Sequence, residues 1–244
     1  MPPIWIDAQV TRIENATSRV RRIWLALPDQ TEFYFRAGQF ITLDLPIGEK
    51  RLQRWRSYSL ADAPGKGELE LCIVHMPGGQ ASSFLCQDLQ VGDTLRFKGP
   101  DGSFLLPDPL DCDLVMICTG TGIAPFRSML LDLERKGWTE RQIHLVYGSR
   151  TRYDLLYKDE FLEMATRHPN FQYSVALSRI EDGPDEPWIT KGYVHDVYMN
   201  RYATPEPDRK FLLCGWTNMI DDAVVQLIVK AGYKKEQVSY ELYG

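Results

Sequence analysis

The chain has 244 residues, of which 44 % are hydrophobic and 25 % charged, a globular balance long enough to bury a core in one large domain or two ordinary ones. A net charge of −5 argues against a nucleic-acid partner, which needs a basic face, and no apolar run reaches the roughly 18–20 residues of a membrane span. Cys72, Cys86, Cys112, Cys118 and Cys214 form no CxxC pair, which excludes an encoded disulfide framework, zinc site or iron–sulfur cluster; with no secretory pattern in Met1-Pro-Pro-Ile-Trp5, the expected setting is a reducing cytoplasm.

From Ile4 to about Phe104 the chain reads in short alternating runs. Strands are expected over 22–27, 39–45, 56–60, 68–74 and 94–97, separated by turns at Gly38, Pro64-Gly65, Pro77-Gly78-Gly79, Gly92-Asp93 and Gly99-Pro100. Only Ala81–Leu89 reads as a helix, so this half is expected to be a small antiparallel barrel. Leu106-Pro-Asp-Pro-Leu-Asp111 then breaks the pattern as a linker. Beyond it strands (114–119, 143–147, 171–177, 210–214, 237–242) alternate with helices (124–136, 158–167, 195–202, 218–230), which implies a parallel sheet covered on both faces. Pro125 suits the first turn of its helix and Gly137 the exit, with Phe126, Met129, Leu130 and Leu133 as its apolar stripe. Basic and acidic residues balance over 1–104, so the net charge lies wholly in the second half. Lys50, Arg51, Arg54 and Arg56 form the one obvious basic cluster.

The sharpest local signal is Thr119-Gly-Thr-Gly-Ile-Ala-Pro125 between a strand and a helix start. Glycines there let backbone approach a diphosphate, and free N–H groups at a helix start favour anions. Pro125 stands where the third glycine of a GxGxxG fingerprint would fall, so a tight turn of purely structural purpose remains equally open. The next strand ends in Gly148-Ser-Arg150, without the acidic residue that would hold a ribose 2′-hydroxyl. In the first half, Arg56-Ser-Tyr-Ser59 offers a guanidinium fork, a ring and a hydroxyl, and Gly78-Gly-Gln-Ala-Ser82 opens the lone helix. By themselves these read as well as an edge strand and a capped helix. His144, His168 and His195 read as structural or surface groups, Trp188 and Trp216 as packing residues, and Glu181, Asp182, Asp185 and Glu186 as a solvated acidic loop.

Together and in this order, these residues resemble the ferredoxin–NADP(+) reductase family over nearly the whole chain. The resemblance implies β plus α/β architecture: an N-terminal antiparallel Greek-key barrel for FAD (1–105), then an α/β parallel-sheet domain for the nicotinamide nucleotide (112–244). It places Arg56, Ser57, Tyr58, Ser59, Cys72-Ile73-Val74-His75, Gly78, Gly79, Gln80, Ala81, Ser82, Thr121 and a terminal aromatic ring, Tyr243, against FAD. It places Thr119, Gly120, Thr121, Gly122, Ser149, Arg150, Ser178, Arg179, Lys191, Cys214, Gly215 and Met219 against NADP, with Ser178-Arg179 on the 2′-phosphate. Leu155-Leu-Tyr-Lys-Asp-Glu-Phe161 matches a further family landmark, while Tyr193 aligns poorly. Ser59, Cys214 and Glu241 would shape the surroundings of the flavin N5 and the nicotinamide, and Tyr243 would move aside for the latter.

The implied activity is hydride transfer from NADPH to FAD, then single electrons to a ferredoxin- or flavodoxin-like carrier. Two alternatives stand beside it: an NADH-dependent reductase of an oxygenase or of free flavin, and a non-catalytic assembly subunit on the same fold. This chain departs from many family members in having Cys214-Gly-Trp-Thr217 instead of Cys-Gly-Pro-Pro, and Gly244 after the terminal tyrosine.

Overall fold

Strand-forming alternation organises the first half of the chain into β1 (Trp5–Asn15), β2 (Val20–Ala26), β3 (Phe40–Asp44), β4 (Trp55–Ser59), β5 (Glu68–Val74) and β6 (Thr94–Asp101). The structure is a computed structural model and describes residues 4–29, 31–180 and 186–243; Glu181, Asp182 and Asp185 of the expected acidic loop, and Gly244, lie outside the described residues. The strands form one antiparallel sheet in the order β4-β3-β6-β1-β2-β5, and a bridge between Leu60 and Leu71 links its two ends into a barrel. Val10, Ile23, Leu25, Ile41, Leu43, Leu71 and Phe97 point inward and are fully buried. Each such side chain contributes about 1.5–3 kcal/mol relative to exposure.

The long first strand was not among the strands expected from sequence. Its inward residues Ala8 and Val10 are small, its register slips between Val10 and Arg12, and charged residues surround them, so no clean period of two survives. A short helix, α1 (Arg51–Arg54), buries nothing and therefore leaves no apolar signature. The expected helix at 81–89 is α2 (Gln80–Ser83) continued by a π-helical turn, Phe84–Asp88.

The chain divides into two compact units: residues up to Leu106 together with Ala124–Arg135, and Pro107–Ile123 together with residues from Lys136 onward. Most of α3 (Ile123–Lys136) therefore groups with the barrel. Its Arg127 donates to the Ala61 carbonyl and to Glu70, both at 2.8 Å, and its Ser128 donates to the Asp62 carbonyl at 2.6 Å. Glu70 is only 1 % exposed and also takes a 2.6 Å bond from Arg22, so one buried carboxylate ties β2, β5 and α3 together.

The second unit carries β7 (Asp113–Thr119), β8 (Ile143–Ser149), β9 (Phe171–Leu177), β10 (Ile189–Lys191), β11 (Arg209–Trp216) and β12 (Val238–Tyr243). All pair in parallel, in the order β10-β9-β8-β7-β11-β12. Helices α4 (Lys158–Arg167), α5 (Val194–Tyr202) and α6 (Thr217–Val224) cover the sheet. Val194, Tyr198, Met219 and Ile220 pack with Val146, Ala176 and Leu213 on one face, whereas Phe161 of α4 meets Tyr173 at 5.4 Å. Both faces are thus buried, which is why these strands read as nearly continuous apolar runs. The strand order reverses at β7, whose neighbours are β8 on one side and β11 on the other. Among the described residues no helix is long and apolar enough to cross a membrane.

Candidate functional site

The barrel's contribution is built on β4, β5 and the turn into α2. Ser59 is buried opposite Phe40 of β3, and the Ser57 hydroxyl lies 3.1 Å from that of Thr42. Arg56 donates to the carbonyls of Leu52 (3.0 Å) and Trp55 (2.7 Å), and no acid pairs with it among the described residues. Burial pushes the Tyr58 hydroxyl up to about 12, so the ring stays neutral and phenolic at any physiological pH. On β5, Cys72 and Ile73 are buried and Val74 is half-buried, as is His75 just beyond the strand. The chain then turns at Gly78, and the Ser82 hydroxyl closes the turn, accepting from Met76 N–H (3.0 Å) and donating to the Gly79 carbonyl (3.1 Å). The first amides of α2 have no intrahelical acceptor and remain available to an anion.

The second unit's contribution is one edge of a sheet. Thr119, Ser149 with Arg150, Ser178 with Arg179, Lys191, Cys214 with Gly215, and Glu241 with Tyr243 come from six strands, and all fall at the carboxyl ends of those strands or just beyond. Open parallel sheets bind ligands outside these ends, where the strand order reverses. Register fixes the grouping: Cys214 stands beside Cys118 of β7 and Glu241 of β12, and Trp216 beside Tyr243. The loop after β7 needs its glycines for two different reasons. A Cβ on Gly122 would lie 2.4 Å from the Cys214 carbonyl oxygen, so this glycine serves packing. Gly120 has φ +55, and a Cβ there would meet only Trp216 Nε1 at 3.9 Å, so its backbone is open to approach from outside.

Thr119 Oγ1 is buried with no hydrogen-bond partner among the described residues, an arrangement that suits a bound polar group. The Ser178 and Arg179 amides donate to the Ser149 and Arg150 carbonyls, which draws the ends of β8 and β9 together. Arg150 and Arg179 are exposed and make no ion pair among the described residues, and Lys191 ends the adjoining strand. Burial, then the charge of Glu241, raises the Cys214 thiol well above its ordinary range, while a hydrogen bond with Tyr243 acts the other way. Cys214 therefore stays a thiol. Met219 is buried in α6, and Tyr157 in the Leu155–Phe161 landmark holds a left-handed φ of +55 at the start of α4.

The residues read as structural are accounted for locally. His144 bonds Tyr202 (2.7 Å) and Ser174 (2.8 Å), and burial lowers it to about 3, so it is neutral. His168 stacks on Trp138, His195 bonds Tyr198, and Trp188 stacks on Tyr173. Trp216 differs from its expected packing role: it is 43 % exposed beside Gly120. The basic cluster also differs from expectation. Arg54 is paired with Asp44 at 2.6 Å, whereas Arg96 and Lys98, outward-facing on β6, join the surface. Arg51 and Lys98 lie over the Trp55 ring at 4.6 and 4.5 Å, Arg96 over Trp5 at 5.1 Å, and the two indoles meet edge to face at 5.1 Å. Leu52 beside them is 84 % exposed. Distance in sequence concealed this face, since β6 lies some forty residues from α1. Outward Arg-x-Lys alternation on β6 was the only available signal.

Comparison with known proteins gives these two constructions a common setting. Residues 7–105 match the oxidoreductase FAD-binding domain and residues 116–224 the oxidoreductase NAD-binding domain. The chain is 38 % identical over 195 residues to the reductase component of phenol 2-monooxygenase from Pseudomonas sp. (strain CF600), covering 80 % of this chain and 54 % of that protein. It is 33 % identical over 242 residues to the toluate 1,2-dioxygenase electron transfer component of Pseudomonas putida, covering 98 % of this chain and 67 % of that protein. Its fold superimposes with a TM-score of 0.82 on a ferredoxin NADP+ reductase from Neisseria gonorrhoeae, at 23 % identity over 98 % of each chain. The chain belongs to the ferredoxin–NADP(+) reductase-like family of FAD-dependent NAD(P)H oxidoreductases. It spans 54 % and 67 % of the lengths of the two curated relatives.

Proposed function

We propose that this chain is the flavin- and nucleotide-binding part of an electron-transfer reductase that oxidises NADPH and supplies a one-electron protein carrier in an oxygenase system. The observation that carries the reading is the convergence of Thr119, Arg150, Arg179, Lys191, Cys214 and Glu241, scattered over half the sequence, on one edge of one sheet. The oxygenase setting is supported by the phenol monooxygenase and toluate dioxygenase components it resembles. An FAD held by β4, β5 and the α2 turn would supply hydride acceptance from a reduced nicotinamide and onward delivery of single electrons.

The chain's own residues do the rest. Arg56 and the first α2 amides neutralise a diphosphate, and Tyr58, neutral throughout, offers a flat apolar face. Ser59 presents its hydroxyl from the end of β4, where it pairs with Phe40 of β3. The Thr119 hydroxyl and the open backbone of Gly120 receive the nucleotide diphosphate. Preference for NADPH rests on Ser178 and Arg179, with Arg150 and Lys191 adding positive charge, and on the absence of an acidic residue in Gly148-Ser-Arg150. Cys214, kept protonated, and Glu241 line the nicotinamide end. Carrier docking falls to the basic aromatic face of Arg51, Trp55, Arg96 and Lys98, since positive charge steers an acidic partner.

Steady-state turnover with NADPH and NADH, using a [2Fe–2S] ferredoxin, a flavodoxin, a dye and free flavin as acceptors, tests the reading. The expected result is faster one-electron reduction of the protein carriers than of free flavin, with NADPH preferred. Turnover confined to free flavin would reject the carrier role, and a preference for NADH would reject the nucleotide assignment.

A further inference from the structure

The barrel unit has a cavity of about 240 Å³ between the β1–β2 turn and the π-helical turn after α2. Arg19, Arg21, His75, Gln87 and Asn15 line it, and among the described residues no carboxylate does. Its floor is held rigidly. The Arg19 carbonyl accepts from the His75 amide at 2.7 Å, and the Arg19 amide donates to Thr17 Oγ1 at 3.1 Å. Arg21 is anchored by Asn15 Oδ1 (3.3 Å) and by the carbonyls of Leu85 and Leu89 (3.5 and 3.4 Å). Glu14, the nearest acid on β1, is engaged by Arg12 and Arg22. Half-buried Arg19 makes no ion pair among the described residues. Of this lining only His75 belongs to the residues expected at FAD, and its Nε2 is turned to this side, 3.3 Å from Gln87 Nε2 and 3.5 Å from Ser83 Oγ.

We propose that this cavity is a second anion site, taking inorganic phosphate or a small phosphorylated metabolite. Arg19 and Gln87 line it together with Arg21, whose positive charge is held there by three neutral oxygen acceptors, and no carboxylate among the described residues lines the same space, a lining that suits phosphate oxygens. The volume admits a phosphate with a short organic group and is too small for a dinucleotide. This inference does not depend on the proposed reaction.

The test is calorimetric titration of FAD-loaded protein with sodium phosphate at constant ionic strength, for wild type, Arg19→Ala, Gln87→Glu and Arg179→Ala. Saturable binding is expected in wild type and in Arg179→Ala, with affinity lowered roughly ten- to hundredfold in Arg19→Ala and Gln87→Glu. Loss of binding in Arg179→Ala alone would assign the phosphate to the sheet edge and overturn the proposal. So would binding seen only in flavin-free protein, which would make the cavity part of the FAD site. Absence of saturable binding in wild type, or unchanged affinity in Arg19→Ala, overturns it outright. A preparation that takes up no FAD counts against the reductase reading and leaves the titration of the protein as purified to decide this one.

Discussion

In the barrel unit the polar groups expected at FAD are already engaged: Ser82 closes its own turn, Ser57 meets Thr42, and Arg56 lies on two backbone carbonyls. At the sheet edge of the α/β unit the Thr119 hydroxyl is buried without a partner, and Arg150 and Arg179 carry no ion pair among the described residues. A ligand of the first unit must exchange bonds, whereas a ligand of the second makes new ones. Net affinity per polar contact should therefore be smaller on the barrel than at the sheet edge.

The largest effect expected concerns the barrel's rigidity. Glu70→Ala strands Arg127 in a buried position and should destabilise the chain by about 3–5 kcal/mol in chemical denaturation. A loss below 1 kcal/mol (~1 on the same scale) would show that the triad is not what fixes the pre-engaged geometry. Next comes the nucleotide side: Arg179→Ala should cost about 1.5–3 kcal/mol of NADPH binding and leave NADH nearly untouched. The ratio of kcat/KM for the two nucleotides reads this directly. Arg56→Ala should weaken FAD by about 1.5 kcal/mol, the low end of the same range, because two carbonyl bonds are given up on binding. Equal losses in the two arginine variants would break the contrast.

Charge reversal at Arg51 and Arg96 should slow carrier reduction several-fold at low salt (roughly the scale of lost steering) and remove its salt dependence. An unaltered rate would move docking elsewhere. The smallest effect is the most discriminating. Thr119→Val should leave stability within about 0.5 kcal/mol, since no hydrogen bond is lost, yet weaken nucleotide binding by about 0.5–1.5 kcal/mol. Destabilisation without any binding change would mean that the hydroxyl serves the fold.

The α/β half was the more legible in sequence. Strand 171–177 and helix 158–167 were placed to the residue because buried parallel strands give long apolar runs and amphipathic helices keep their period. Its exception, three-residue β10, is too short to show any pattern. In the barrel, β1 was hidden by a register slip and small inward residues, and α1 by burying nothing. The motif residues could be named from sequence because each motif is local. Arg96, Lys98 and Trp5 could not, since only the antiparallel pairing of β1 with β6, β6 with β3 and β3 with β4 brings them beside α1 and Trp55. Arg54 looked free in sequence and is held by Asp44 ten residues earlier.

The central claim is that this chain binds FAD and reduces it with NADPH. Purified protein, reconstituted with FAD and freed of excess, should hold about one flavin per chain (a stoichiometry of order one for a single concave site). Under anaerobic mixing, NADPH should bleach its flavin absorption in a saturable way, at lower concentration than NADH. A chain that retains no flavin, or a bound flavin that neither nucleotide bleaches, would contradict the account.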